Sequence, residues 1–200
     1  GEGEVAIAVN RDGKRIGKVN GIRIEKTSQI LDNVLAVIFS PEDLKIVKED
    51  PEKRRRFMDR ELCQLKISYY RNLNRYNKVL QQRNAYLKEE NLEKAVLSVW
   101  DEHLSKYGKE LVHEREEFIR RLNDISCEIH QGITEGSEER EKLEIRYVPN
   151  ISSQEDYKLA ISQAFETDRF RGNTSRGPHR DDFEVFINDI NVRNFGCQGQ

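Results

Sequence analysis

Leu97, Leu104, Leu111, Phe118 and Ile125 recur every seven residues, and nothing else in the chain restricts its fold as strongly. Only a helix lines such positions up in one stripe, and four repeats of it make a coiled-coil-like rod that needs a partner along its length. Trp100, Tyr107 and Leu122 fill intermediate seam positions. About 38 residues, closed by Gly132 as C-cap, give a rod of roughly 57 Å. Upstream, Tyr69, Leu73, Tyr76, Leu80, Arg83 and Leu87 keep three-and-four spacing. A break near Glu90-Asn91 lets this second helix fold back, so that the two seams bury each other. Asp50-Pro51-Glu52 signals an earlier helix start, running to about Lys66. The chain is 35% charged and 36% hydrophobic, a balance that suits solvated helices with narrow apolar seams.

Both flanks of the helices read as strands. Val5, Ile7 and Val9 alternate with alanines, and Asp12-Gly13 and Asn20-Gly21 are hairpin signals. They predict a three-stranded antiparallel meander from Glu4 to Glu25. A short helix from about Ser28 to Asp32 then leads into Asn33–Phe39, a continuous apolar run that fits a strand buried on both faces. Ser40-Pro41-Glu42 resembles a helix N-terminus. After the helices, residues 134–141 form a polar linker, and Leu143, Ile145 and Tyr147 alternate as a strand. Ser152 or Ser153 can cap a helix from about Gln154 to Phe165. Phe183, Val185 and Ile187 form a further strand, Asn188-Asp189 turns the chain, and Ile190 to Phe195 returns. The fold class is therefore α+β. Residues 1–48 and 136–200 make one sheet-containing unit, into which residues 49–135 are inserted as a helical arm, an antiparallel helical hairpin.

From Arg169 to Arg180 the chain carries four arginines, one histidine and no acid, with glycines and a proline that predict a loop. Gly196 to Gln200 are small and polar, as at a helix N-terminus that leaves N–H groups open to an anion. Net charge is −2, so any nucleic-acid surface is a local patch. Cys63, Cys127 and Cys197 are far apart and odd in number, with no zinc-type spacing, and a reducing compartment is the simplest setting. His103, His113 and His130 share no helix face at ligand spacing, so no metal site is expected.

Four motifs occur in order: Phe39-Ser40-Pro41-Glu42-Asp43-Leu44, Arg54-Arg55-Arg56-Phe57-Met58-Asp59, Gly172-x-Thr174-x-x-Gly177-Pro178-His179-Arg180-Asp181-Asp182, and Cys197-Gln198-Gly199-Gln200. Together, over nearly the whole chain, they resemble the RecF family of recombination-repair ATPases, related to SMC proteins and more distantly to ABC ATPases. The resemblance implies an ATPase head, residues 1–48 and 136–200, that carries a helical second domain. It implies slow ATP hydrolysis used as a switch, with ATP and Mg2+ as cofactors of the intact protein and none held tightly by this segment. It further implies an ATP-dependent homodimer that binds duplex DNA at single-strand gaps. With RecO and RecR partners, that dimer helps load RecA recombinase. The setting it implies is cytoplasmic and nucleoid-associated, with no membrane. No Gly-x-x-x-x-Gly-Lys-[Ser/Thr] occurs, nor an apolar run ending in Asp-Glu. The chain thus reads as the middle of a longer protein, with no catalytic residue and no ATPase activity of its own.

By the same resemblance, Cys197, Gln198, Gly199 and Gln200 are the signature motif that contacts the γ-phosphate bound by the opposite subunit. The family pattern has serine where this chain has Cys197, and a thiol is the weaker donor. Glu42 and Asp43 occupy a candidate nucleotide-sensing loop; their plainer role is as acids at a helix N-terminus. Arg169, Arg171, Arg176 and Arg180 are candidate phosphate contacts, or else local ion pairs to Glu166, Asp168, Asp181 and Asp182. Lys53, Arg54, Arg55 and Arg56 are candidate DNA contacts at the base of the arm, or a solvated face partnered by Glu52, Asp59 and Glu61. Arg115, Arg120 and Arg121 read as ordinary helix charge pairing. His179 sets loop shape. The rival function is a non-catalytic helical interaction or structural module of an SMC-like protein. Those arms run for hundreds of residues, and this insertion is short.

Overall fold

The structure is a computed structural model that describes residues 3–13, 15–25, 28–31, 34–37, 46–134 and 141–193. Its spine is the long helix, α4 (Lys94–Thr134), whose 41 residues span about 60 Å. Two helices precede it, α2 (Pro51–Leu65) and α3 (Ile67–Tyr86), separated by Lys66 in an extended conformation. Helix α3 runs antiparallel to α4: Tyr86 meets Trp100 edge-on at one end, and Tyr69 meets Arg115 at the other. The heptad stripe is buried at Leu97, Leu104 and Leu111, joined by Val112 and Ile119. Burial of such side chains contributes about 1.5–3 kcal/mol each. The stripe then runs out, and Ile125 is 57% exposed. The helix also passes through Gly132 and ends at Thr134, so Gly132 is not its cap. Gly108 marks the closest approach on α4, since a β-carbon there would meet the Tyr157 ring at 2.8 Å.

Two short helices cover the first half of α4: α5 (Tyr157–Gln163) and α6 (Phe165–Arg171). They replace the single helix expected from Gln154 to Phe165. Asp156, not a serine, is the N-cap of α5; its carboxylate accepts from the N–H groups of Lys158 and Leu159. Helix α6 ends in left-handed Gly172, so Arg169 and Arg171 lie on a helix rather than in a loop.

A three-stranded sheet covers the second half: β4 (Leu143–Val148), β5 (Asp182–Ile187) and β6 (Ile190–Asn191). Tyr147 pairs with Phe183 and Ile145 with Val185. Asn188 and Asp189 both take positive φ, 49° and 62°, as a type I′ turn requires. Strand β6 stops at Asn191, shorter than expected, and Val192-Arg193 form a helical turn. Phe183 packs with Met58 and Ile119 against α2 and α4.

The meander forms a second, separate sheet: β1 (Val5–Val9), β2 (Arg15–Val19) and β3 (Ile22–Ile24), followed by α1 (Ser28–Leu31). Among the described residues the two sheets share no strand. The expected buried strand is also absent where it is described. Residues 34–37 are irregular and exposed, with Val37 at 92%. An apolar run becomes a buried strand only with neighbours on both edges, and here the Val34 N–H donates to the Ile30 carbonyl and the Ala36 N–H to the Gln64 side chain, neither of them on a strand. The α+β class stands. Among the described residues no helix is long and apolar enough to cross a membrane.

Candidate functional site

Three arginines are almost wholly buried: Arg54 on α2, Arg83 on α3 and Arg115 on α4. A buried guanidinium is tolerated only when carboxylates and carbonyls satisfy it. Each finds at least one of those groups in the segment from Asp168 to Asp182. Arg83 donates to Asp101 at 2.7 Å, Asp168 at 2.7 Å and the Thr174 hydroxyl at 2.9 Å. Arg115 donates to Asp181 at 3.1 Å, the Pro178 carbonyl at 2.7 Å, Asp59 at 2.8 Å and the Tyr69 hydroxyl at 2.9 Å. Arg54 takes both oxygens of Asp182 at 2.6 and 3.2 Å, and also the carbonyls of Ile46 and Glu49. Burial pushes Asp181 and Asp101 upward, while their arginines pull them back. For Asp182 burial also pushes upward, but hydrogen bonds from Arg54 and Arg193 outweigh it and hold the carboxyl below its usual value.

The rest of the Gly172–Asp182 motif is similarly accounted for. Thr174 is fixed by Asn84 as well as Arg83, and Ser175 gives both its N–H and its hydroxyl to Asp168. Gly177 donates to Asn150 and sits at φ 133°, where a β-carbon would strike the Tyr76 hydroxyl. His179 holds the loop through both ring nitrogens. Its Nε2 lies 2.9 Å from the Thr174 carbonyl and must donate, so Nδ1 accepts from the Tyr76 hydroxyl at 2.7 Å. Burial lowers its pKa to about 4, so the ring is neutral at pH 7, in the loop-shaping role expected of it. Arg180 alone holds nothing in place. It is exposed, and its guanidinium has no partner among the described residues.

The candidate cations separate accordingly. Arg54 is interior and is removed from any contact surface. Arg169 spends its guanidinium on the carbonyls of Leu87 and Glu90, and Arg176 pairs with Glu155. The local ion pairs considered for this loop do not form, because the arm's buried arginines and Arg193 occupy Asp168, Asp181 and Asp182. Lys53 and Arg56 are exposed and pair with Glu49 and Glu52. Such pairs are worth at most about 1 kcal/mol, so these cations can exchange a carboxylate for a phosphate. Arg171 is exposed on α6, near the far end of the helical hairpin. Arg55 donates to the Asp181 carbonyl, 126 residues away in sequence. Its pKa is lowered by burial first and by Arg115 next, with Arg180 adding to it. Arg55 and Arg180, from two separate motifs, thus come close enough to repel, beside a cavity of about 340 Å³ that Arg55, Arg56, Asn77 and His179 help to line.

Glu42, Asp43, Cys197, Gln198, Gly199 and Gln200 lie outside the described residues. Sequence reasoning overlooked Arg83 and Arg115 as organising residues, and Arg115 is not ordinary surface pairing. Both sit at seam positions, Arg83 between Leu80 and Leu87 and Arg115 four after Leu111, and that was the available signal. Arg120 and Arg121 do pair on the surface, with Glu117. Among the described residues no cluster of His, Cys, Asp or Glu could hold a metal ion.

No protein-family model matches the chain. It is similar to the DNA replication and repair protein RecF of Clostridium perfringens, at 40% identity over 98% of this chain and 55% of the relative. It is 43% identical to RecF of Clostridium botulinum over the same shares. Two solved structures of the recombination mediator protein RecF in the RecFOR pathway, RecF-ATP and RecF-ATPrS, superpose with TM-scores of 0.87 and 0.86 at 32% identity. Each covers 99% of this chain, which spans 55% of theirs. The chain therefore spans about half the length of the relatives it matches.

Proposed function

We propose that the chain belongs to the RecF family and that it supplies the helical arm and part of the ATPase head of a recombination mediator. That mediator binds ATP with Mg2+, dimerises on it, engages duplex DNA at single-strand gaps, and works with RecO and RecR in the cytoplasm to load RecA recombinase. The observation that carries this reading is the superposition of 99% of the chain on RecF-ATP. On this reading, Cys197 to Gln200 contact the γ-phosphate bound by the other subunit, Glu42 and Asp43 respond to nucleotide, and this segment alone hydrolyses no ATP.

The free cations support a candidate DNA-contact surface. Phosphate binding needs cations that the fold does not already consume. Arg180 meets that condition, with Lys53 and Arg56 on α2 and Arg171 farther along; Arg55 beside it already gives one nitrogen to the Asp181 carbonyl. Replacing Arg180 with alanine should weaken DNA binding across sequences and reduce the slope of affinity against salt by about one unit, with melting unchanged. An unaltered slope would remove Arg180 from the interface.

The primary test is mass by light scattering, with and without ATP, on the full-length protein that carries this segment. A monomer that dimerises only with ATP is expected. If mass ignores ATP, Cys197→Ser decides the matter. Restored dimerisation assigns the defect to the thiol, whereas continued indifference overturns the reading in favour of a structural module.

A further inference from the structure

Arg54 joins three parts of the chain that the proposed function treats separately. It grips the carbonyls of Ile46 and Glu49, in the turn that follows the candidate sensing residues Glu42 and Asp43. It stands on α2 between Lys53 and Arg55, among the candidate DNA contacts. It also takes both oxygens of Asp182 at the start of β5. Asp182 is shared: Arg193 donates to it at 2.7 Å and to the Phe183 carbonyl at 3.3 Å. Arg193 closes the described chain just before the signature residues Cys197 to Gln200. One carboxylate is therefore held from one side by the arm's first helix and from the other by the strand exit that leads to the signature.

We infer that Arg54, Asp182 and Arg193 form a joint that couples DNA engagement on α2 to nucleotide engagement at the signature motif, with Arg193 as the positioning residue. The inference rests on the RecF reading above. A charge-assisted bond on each oxygen fixes the direction of both partners, so α2 cannot shift without moving either Asp182 or Arg193. Arg54 is 1% exposed on its side chain, and replacing it removes the buried donor that serves the Ile46 and Glu49 carbonyls as well as Asp182. Arg193 is 31% exposed, and its loss leaves Asp182 paired with Arg54, so it can be removed from a folded protein. It is not itself among the nucleotide or DNA contacts proposed above.

The test measures duplex DNA affinity of the full-length protein with and without ATP, in the unsubstituted protein, Arg193→Ala and Arg193→Lys. In the unsubstituted protein ATP should tighten DNA binding by about 5- to 150-fold, the usual range for coupled sites. In Arg193→Ala that ratio should fall to about one, while ATP still binds, nucleotide-free DNA affinity is unchanged, and melting holds. Arg193→Lys, which keeps one bond to Asp182, should recover part of the ratio. An unchanged ratio in Arg193→Ala overturns the joint. So does a parallel loss of ATP binding, DNA binding and melting temperature, which would make Arg193 merely structural. No ATP effect in the unsubstituted protein, or no DNA binding at all, overturns the RecF reading itself and the joint with it.

Discussion

The two sheets share a design and differ in outcome. Each has three antiparallel strands and a two-residue turn with positive φ, Asn20-Gly21 in one and Asn188-Asp189 in the other. In the β4-β5-β6 sheet Phe183 is 3% exposed, and β5 begins on Asp182 beside buried Asp181. In the β1-β2-β3 sheet Ile7, Val9 and Ile22 are 58%, 63% and 73% exposed. Strand pairing is a local achievement, set by alternation and turn chemistry. Anchoring is a long-range one, and here it is made by arginines that approach from two helices, Arg54 on α2 and Arg115 on α4. The anchored sheet is therefore the one whose stability depends on residues far away in sequence.

That contrast is broken most severely by removing Arg115. Arg115→Ala leaves Asp181 buried without its cation, the Tyr69 hydroxyl without a donor, and the Pro178 carbonyl with the Asp181 N–H as its remaining donor. Breaking one partner of a buried pair costs about 3–5 kcal/mol. Urea unfolding followed by circular dichroism should show a loss of that size. Lower loss than from a surface charge deletion would mean that water already reaches the network. The meander should be indifferent to the change, with its amide exchange unaltered.

Much of this was readable beforehand, and the exception is instructive. The heptad leucines, the proline that opens α2 and both Asn-led turns are local signals, and the structure honours them. Arg83 and Arg115 also stood on the seam, yet charged residues surrounded by Glu114, Glu116 and Glu117 read as a solvated face. Whether they turn inward depends on Asp168 and Asp181, which arrive from 85 and 66 residues away. No local pattern records that meeting. In the apolar 33–39 run the described part, residues 34–37, forms no strand for the converse reason: its composition was right, but among the described residues no strand lies beside it. The signature residues and Glu42-Asp43 fall outside the described chain, so their part of the site remains a proposal from family likeness.

Acid sharpens the comparison with a smaller effect. His179 has a folded pKa of about 4, below the ordinary 6.5, because burial disfavours the imidazolium. Above pH 6.5 the ring is neutral in both states and contributes no slope. As pH falls from 6.5 towards 4 the unfolded chain takes up a proton that the folded loop refuses, so stability declines, by about 3 kcal/mol in all. Stability measured at several pH values, in the unsubstituted chain and in His179→Gln, should differ in slope across that window and run parallel above it. Identical slopes would mean that the histidine is free to protonate in place. The meander contains no histidine and contributes nothing to this difference.

Ile22→Thr should have the smallest effect of all. The side chain is 73% exposed, so truncating it opens no cavity and removes little buried surface. Threonine is β-branched and favours the same extended backbone, which leaves the Val19–Ile22 pairing intact. In this 200-residue chain the change should fall within about 0.5 kcal/mol of neutral. A matched substitution on the anchored sheet, Val185→Thr, puts a hydroxyl against the Phe57 and Phe118 cluster and should cost clearly more. If Ile22→Thr instead lowered the unfolding midpoint as much as Val185→Thr, the outer face of the meander would be packed in solution. The distinction between a sheet that is merely paired and one that is anchored would then fail.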